Sequence, residues 1–282
     1  MNFRAVLAIG LGLVLALSGC GDPARRAAGV GGGAGSPAPV ASGVPEPDGS
    51  SPPKPKPKPK PSASSRPDRP THTTPPRPRL RPLPKTLPAG LRRTTGTHAV
   101  ALTFDDGPSP AWTPKVLDQL RAAGVKATFC LVGIEVKQHP QLVARIVREG
   151  HQLCNHSWRH DMDLGRRPVA EIRADLVRTN RAIQAAAPGA KVSFFRQPGG
   201  RWTAEEVAVA RQLGMQSLHW TVDPQDWAKP APPLITRRVQ AATRPGAVVL
   251  MHDGGGNRAA TLAACRFLIP DLKRRYGVTR LH

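Results

Sequence analysis

The sequence predicts an α/β fold in which a parallel sheet or barrel is covered by helices. Two observations carry that prediction: short apolar runs alternate with longer helical patterns from residue 98 onward, and polar clusters follow the ends of the short runs. A third bounds it. Residues 96–282 keep only 13 of the 32 prolines, and these 187 residues suit one domain with a proper core.

Taken in order, the apolar run His98 to Phe104 predicts a strand, and Thr113 to Ala123 predicts a helix stopped by Gly124. The apolar run Ala127 to Val132 predicts the second strand, Gln141 to Glu149 a helix, and His151 to Asn155 the third strand. The pattern then repeats: helix Val169 to Ala187, strand Val192 to Phe195, helix Ala204 to Leu213, strand Met215 to Thr221. Helix Pro233 to Ala242, strand Ala247 to Met251 and helix Ala259 to Arg275 complete it.

The first 95 residues are a different material, with 19 prolines and only 4 of the 19 acidic residues, so they have little to pack. Arg4, the apolar run Ala5 to Leu17 and the small residues Ser18, Gly19 and Cys20 read as a signal peptide over residues 1–19. That run falls short of the roughly 20 residues a bilayer-spanning helix needs. Residues 20–95 are expected to be a disordered linker, and the alternation from Lys54-Pro55 to Lys60-Pro61 favours extended polyproline II. At about 3.1 Å per residue, the stretch from Ser36 to Arg93 reaches at most roughly 180 Å. The folded domain is expected at residues 96–282.

Each part carries +11 of the +22 net charge, which points to an anionic partner such as nucleic acid, a membrane surface or an acidic wall polymer. The basic residues are spread over many helices with no nucleic-acid-binding motif beside them, which argues against nucleic acid. After Cys20, the cysteines Cys130, Cys154 and Cys265 have no metal-ligand spacing, so at most one disulfide is expected, and Cys130 reads as a core residue.

Five polar clusters fall at or just past the ends of predicted strands. They are Thr103-Phe104-Asp105-Asp106-Gly107, His156-Ser157-Trp158-Arg159-His160, Arg196-Gln197-Pro198-Gly199-Gly200, Asp223-Pro224-Gln225-Asp226-Trp227 and Leu250-Met251-His252-Asp253. In parallel α/β folds those strand ends converge on one face, where a site is assembled from several loops. A single Asp-Asp-Gly is ordinarily a turn and a single His ordinarily structural. Turn-making and core packing do not explain all five placements together.

In this order and spacing the five segments resemble the motifs of the polysaccharide deacetylase family, the NodB homology domain of carbohydrate esterase family 4, from about Ala99 to the C-terminus. The resemblance implies a distorted (β/α) barrel and a metal-dependent hydrolase that removes acetyl groups from N-acetylated or O-acetylated glycans. Leu17-Ser18-Gly19-Cys20 likewise resembles the bacterial lipobox, which implies a lipid on Cys20 and a membrane anchor.

Deacetylation needs a nucleophilic water, a donor set for the oxyanion and an acid for the leaving group, and a divalent ion helps with the first two. His156 and His160 can converge on one ion if their segment turns helically, and one carboxylate completes a three-ligand site. The family pattern implies Asp106 as that carboxylate, Asp105 as general base, Arg196 as the cation beside Asp105, and His252 as general acid. The carboxylate tuning His252 is expected to be Asp226, with Asp223 the alternative. The ion is expected to be zinc, with cobalt or another divalent metal also suiting the ligands.

Trp227 is expected to wall the pocket, and Trp158 to contact substrate as an aromatic face for a sugar. Gly199 stands where the family often has Tyr. Its backbone N–H is retained as an oxyanion donor, and the missing aromatic side chain is expected to leave that pocket edge open.

Two histidines and one carboxylate also suit non-haem iron oxygenases, but Asp105, Arg196 and His252 favour hydrolysis. The expectation is therefore an exported, membrane-tethered monomer that N-deacetylates cell-wall glycan, with peptidoglycan N-acetylglucosamine as the expected substrate in that setting. An acetylxylan O-deacetylase, a chitooligosaccharide deacetylase and a non-catalytic wall-binding lipoprotein are the alternatives.

Overall fold

The computed structural model describes residues 80–282. The expected signal peptide, the expected lipidation at Cys20 and most of the expected linker lie outside the described residues. Seven strands form one sheet: β1 (Leu91–Arg92), β2 (Ala101–Asp105), β3 (Thr128–Leu131), β4 (Gln152–Asn155), β5 (Val192–Phe195), β6 (Gln216–Leu218) and β7 (Val248–His252). Every ladder is parallel, in the order β1-β6-β5-β4-β3-β2-β7. The segment after β6 bridges β7 at Val222 and Val249, and Thr94 bridges Ala247, so the two ends of the sheet meet and the sheet curls into a distorted barrel.

The helices are α1 (Thr113–Ala123), α2 (Gly133–Gln138), α3 (Pro140–Arg148), α4 (Val169–Ala186), α5 (Ala204–Gln212), α6 (Pro232–Ala242) and α7 (Ala259–Tyr276). Their ends follow local chemistry. Proline sits in the first turn of α1, where its missing N–H costs nothing, and Gly124 closes that helix in the left-handed conformation at φ 62°. Thr203 and Glu206 form a capping box at the start of α5. Six of the seven helices match the sequence pattern within a residue or two. The six-residue α2 does not, because it is too short to show a helical period.

Strand alternation divides the core. Leu102, Phe104, Phe129, Leu131, Leu153 and Met251 pack under the helices, whereas Ala101, Cys130, Cys154, Phe194, Leu218 and Val248 form a separate cluster. Parity along β2 and β7 puts Asp105 on the face of Ala101 and His252 on the face of Val248. Asp105 and His252 are also register partners across the β2–β7 ladder.

Cys130 and Cys154, partners across β3 and β4, form a disulfide with their Cα atoms 4.2 Å apart. Cys265 is buried and free. Cys130 is thus a core residue as expected, but a bonded one.

The start of the folded body differs from the expected boundary at residue 96. Leu91 and Arg92 pair with Ser217 and Leu218 of β6, covering what would be an open sheet edge. Further upstream, Arg81 pairs with Glu205 and donates to the carbonyls of Gly165 and Arg167. Composition missed this because a two-residue strand held by backbone bonds needs no apolar run, and proline is compatible with an extended segment at a sheet edge.

Candidate active site

The C-terminal ends of β2, β4, β5 and β7 deliver the polar residues to one mouth of the barrel. A cavity of about 450 Å³ there is lined by Asp105, Asp106, His156, His160, Trp227 and His252, with Met162, Gly199, Trp220, Asp223 and Leu250 completing the wall. A larger groove of about 700 Å³ lies beside β1 and α5, but its lining, including Pro88, Val207 and Met215, carries no acid–base pair.

Asp106, His156 and His160 offer ligand atoms that all lie within 4.8 Å of one another. Asp106 Oδ1 is 3.4 Å from His156 Nε2 and 3.2 Å from His160 Nε2. That oxygen is buried and has no hydrogen-bond partner, as befits an atom meant for a cation. His156 Nδ1 meets the carbonyl of Arg196 at 2.8 Å and must donate to it, which leaves Nε2 with a lone pair facing the triad. The donor set therefore fits one divalent ion with an open position. Burial would raise the Asp106 pKa, but His156 and His160 outweigh it and hold the carboxyl well below the usual range.

The two histidines converge through a turn at residues 157–159. Ser157 and His160 have φ of 63° and 55°, and Asp106 has φ of 73°. Left-handed backbone at non-glycine residues costs energy and persists only where surroundings hold it. Here Asn155 Oδ1 accepts from the amide of Ser157, and Asp175 Oδ1 accepts from that of Trp158. Ser157 Oγ accepts from the amide of Asp161.

Asp105 is 2 % exposed, and its Oδ1 accepts from Arg196 Nη1 at 2.7 Å. Arg196 is fully buried and also donates to Thr103 Oγ1 and to the carbonyls of Leu218 and His219, so its position is fixed from β2 and from the end of β6. Asp105 Oδ2 remains on the triad side, 3.7 Å from His156 Nε2. His252 Nδ1 lies 2.7 Å from Asp226 Oδ1, whose other oxygen accepts from the His252 amide and from Thr261 Oγ1. Asp223 instead accepts from the amide of Gln225, so Asp226 is the partner of His252. Burial would lower the His252 pKa, but the bond and charge of Asp226 raise it to about 8.

Three residues differ from expectation. Trp158 does not face the cavity: it is 6 % exposed, packed near Gly133 and capped by the Arg178 guanidinium at 3.8 Å from its ring. Trp220, to which the sequence assigned no role, lines the cavity beside Trp227. The edge beside Gly199 is not open, because Met162 fills it.

Residues past the last motif also contribute. Arg258 Nη2 lies 3.7 Å from Asp106 Oδ2, a second cation beside the ligand carboxylate. Gly255 lies so close to Asp106 that a Cβ there would stand 2.3 Å from Oδ2. The run Gly254-Gly255-Gly256 directly after His252-Asp253 was the one signal in the sequence that could have pointed to this packing.

With the geometry in place, comparisons with known proteins are specific. The polysaccharide deacetylase family model matches residues 92–218, which hold both aspartates, both triad histidines and Arg196. A chitooligosaccharide deacetylase of Bradyrhizobium sp. (strain ANU 289) is 44% identical over 192 residues, covering 64% of this chain and 87% of that protein. A peptidoglycan-N-acetylglucosamine deacetylase of Bacillus cereus is 34% identical over 178 residues, covering 62% of this chain and 82% of its own length. Among solved structures, a CE4 family pseudoenzyme of Bacillus anthracis superposes with a TM-score of 0.62 at 34% identity, covering 67% of this chain and 66% of that one.

Proposed function

This chain belongs to the polysaccharide deacetylase family, and from that premise we propose that it removes N-acetyl groups from cell-wall glycan, with N-acetylglucosamine of peptidoglycan as the substrate. The observation that carries the chemistry is the convergence of three units on one cavity: Asp106-His156-His160, Asp105-Arg196 and His252-Asp226. A pseudoenzyme among the similar structures makes the presence of all three units the feature to weigh.

Asp106, His156 and His160 would hold a divalent ion, zinc being the first candidate, whose Lewis acidity acidifies water and polarises an acetyl carbonyl. Asp105 accepts the proton of the attacking water at Oδ2, while Arg196 occupies Oδ1 and orients the carboxylate. Charge then develops on the acetyl oxygen, and Gly199, which lines the cavity, would offer its backbone N–H to it. His252 delivers its proton from Nε2 to the departing amine, held in orientation through Nδ1 by Asp226. Water and the amide are thereby converted into acetate and a free amine.

The preference for wall glycan rests on features outside the cavity: the signal-peptide pattern ending in Cys20, the long cationic spacer, and a domain that is itself basic. In this reading a lipid on Cys20 tethers the enzyme to the outer face of the membrane. A second reading, deacetylation of free chitooligosaccharides, is favoured by the 44% identity to the Bradyrhizobium protein.

Acetate release from purified peptidoglycan, chitooligosaccharides and acetylated xylan, at matched metal loading, tests the assignment. Peptidoglycan is expected to give the highest kcat/KM and xylan the lowest. Faster turnover of chitooligosaccharides would select the second reading, and faster turnover of xylan would replace an amidase with an esterase.

A further inference from the structure

Met162 is 43% exposed although it is large and apolar, and it lines the same cavity as Asp106, His160, Trp220 and Trp227. Its backbone is tied on both sides. Gln197 is fully buried, with Nε2 donating to the Met162 carbonyl at 3.1 Å and Oε1 accepting from the Arg201 amide at 2.9 Å, so one side-chain amide clamps two loops together. Asp161 is held by Ser157 Oγ, and Asp163 by Arg201 at 3.1 Å. A tethered backbone presenting a free apolar side chain to a reaction cavity is arranged for contact with a ligand.

The neighbour of that side chain is Gly199, whose φ is 67°. A Cβ at residue 199 would lie 2.5 Å from Met162 Cε and 3.7 Å from its Sδ. The methionine methyl thus occupies the space a side chain at 199 would enter. The wall at this edge is a flexible thioether supplied from the turn after His160. Methionine suits the task because its polarizable, unbranched chain adapts to an irregular apolar surface such as the C–H face of a pyranose.

We propose that Met162 is a specificity-determining residue that contacts the sugar bearing the acetyl group, and that Met162 and Gly199 form one coupled wall. The inference rests on the deacetylase reading and deepens it. Met162 binds the sugar through its thioether and takes no part in proton transfer, so its removal falls on substrate affinity before turnover.

The test is a double-mutant cycle in the full chain loaded with zinc, with N-acetylated chitotetraose as substrate. Met162→Ala is expected to raise KM roughly four- to fifteen-fold, the worth of one or two lost methylene contacts, while kcat falls far less. Gly199→Ala should lose kcat/KM because its methyl meets Met162 in a strained backbone conformation, and adding Met162→Ala should recover part of that loss. Thermal melting checks that Gly199→Ala is folded. An unchanged KM for Met162→Ala, or strictly additive effects of the two substitutions, would overturn the proposal. Calorimetric affinity for the same tetramer gives the comparison without turnover. An inactive wild-type enzyme would therefore sink the deacetylase reading, while the Met162 assignment would still stand or fall on the binding measurements.

Discussion

Asp105→Asn is expected to keep the metal triad and lose about 10² to 10⁴ in kcat, the usual contribution of a positioned general base. The geometry separates its role from that of its neighbour. Asp105 has one oxygen bonded to Arg196 at 2.7 Å and lies outside the set of converging ligand atoms, whereas Asp106 Oδ1 is an unpartnered atom inside that set. Asparagine preserves the size of the side chain and can still accept from Arg196 through Oδ1, but it is neutral and cannot take a proton. Metal content per chain should stay near that of wild type, with kcat carrying the loss. Equal loss of metal in Asp105→Asn and Asp106→Asn would merge the two carboxylates into one ligand set and end the division of labour.

His252→Ala should be comparably damaging, about 10² to 10⁴ in kcat, but only where the leaving group needs a proton. An amine departs poorly without one and an activated phenolate departs unaided, so an N-acetyl glycan should suffer far more than an aryl acetate. A pH profile adds a second readout. With His252 raised to about 8 by Asp226, the protonated donor persists through neutral pH, and activity should fall as pH rises through that value. Asp226→Asn removes the cause of the rise and leaves burial to lower the pKa, so the alkaline limb should move to lower pH. An equal loss on amide and aryl ester, with an unmoved limb in Asp226→Asn, would make His252 a structural residue.

The polar residues proposed for catalysis were legible in the sequence because each ends or directly follows a strand whose apolar run can be read. Asp105 follows Ala101-Leu102-Thr103-Phe104, Arg196 follows Phe194-Phe195, and His252 follows Val248 to Met251. A parallel sheet then gathers those ends without further instruction. What escaped were contacts made by loop packing, which has no period. Met162 and Trp220 reach the cavity from loops whose neighbours do not mark their direction, and Arg258 reaches Asp106 from a loop marked only by the glycine run before it. Trp158 shows the converse error. It lies inside a motif, but the left-handed backbone at Ser157 turns it under Arg178 and away from the cavity. The early start of the fold at Arg81 and β1 was hidden because backbone hydrogen bonds, which no side-chain pattern records, hold that segment in place.

N-deacetylation should depend on a single ion held by Asp106, His156 and His160. The most direct measurement is acetate released from N-acetylated peptidoglycan by metal-stripped protein titrated with zinc. Turnover should be absent after stripping and should saturate at one ion per chain, while His160→Ala should neither bind the ion tightly nor recover. Full turnover by the stripped protein, or recovery by His160→Ala at the same single equivalent, would contradict it.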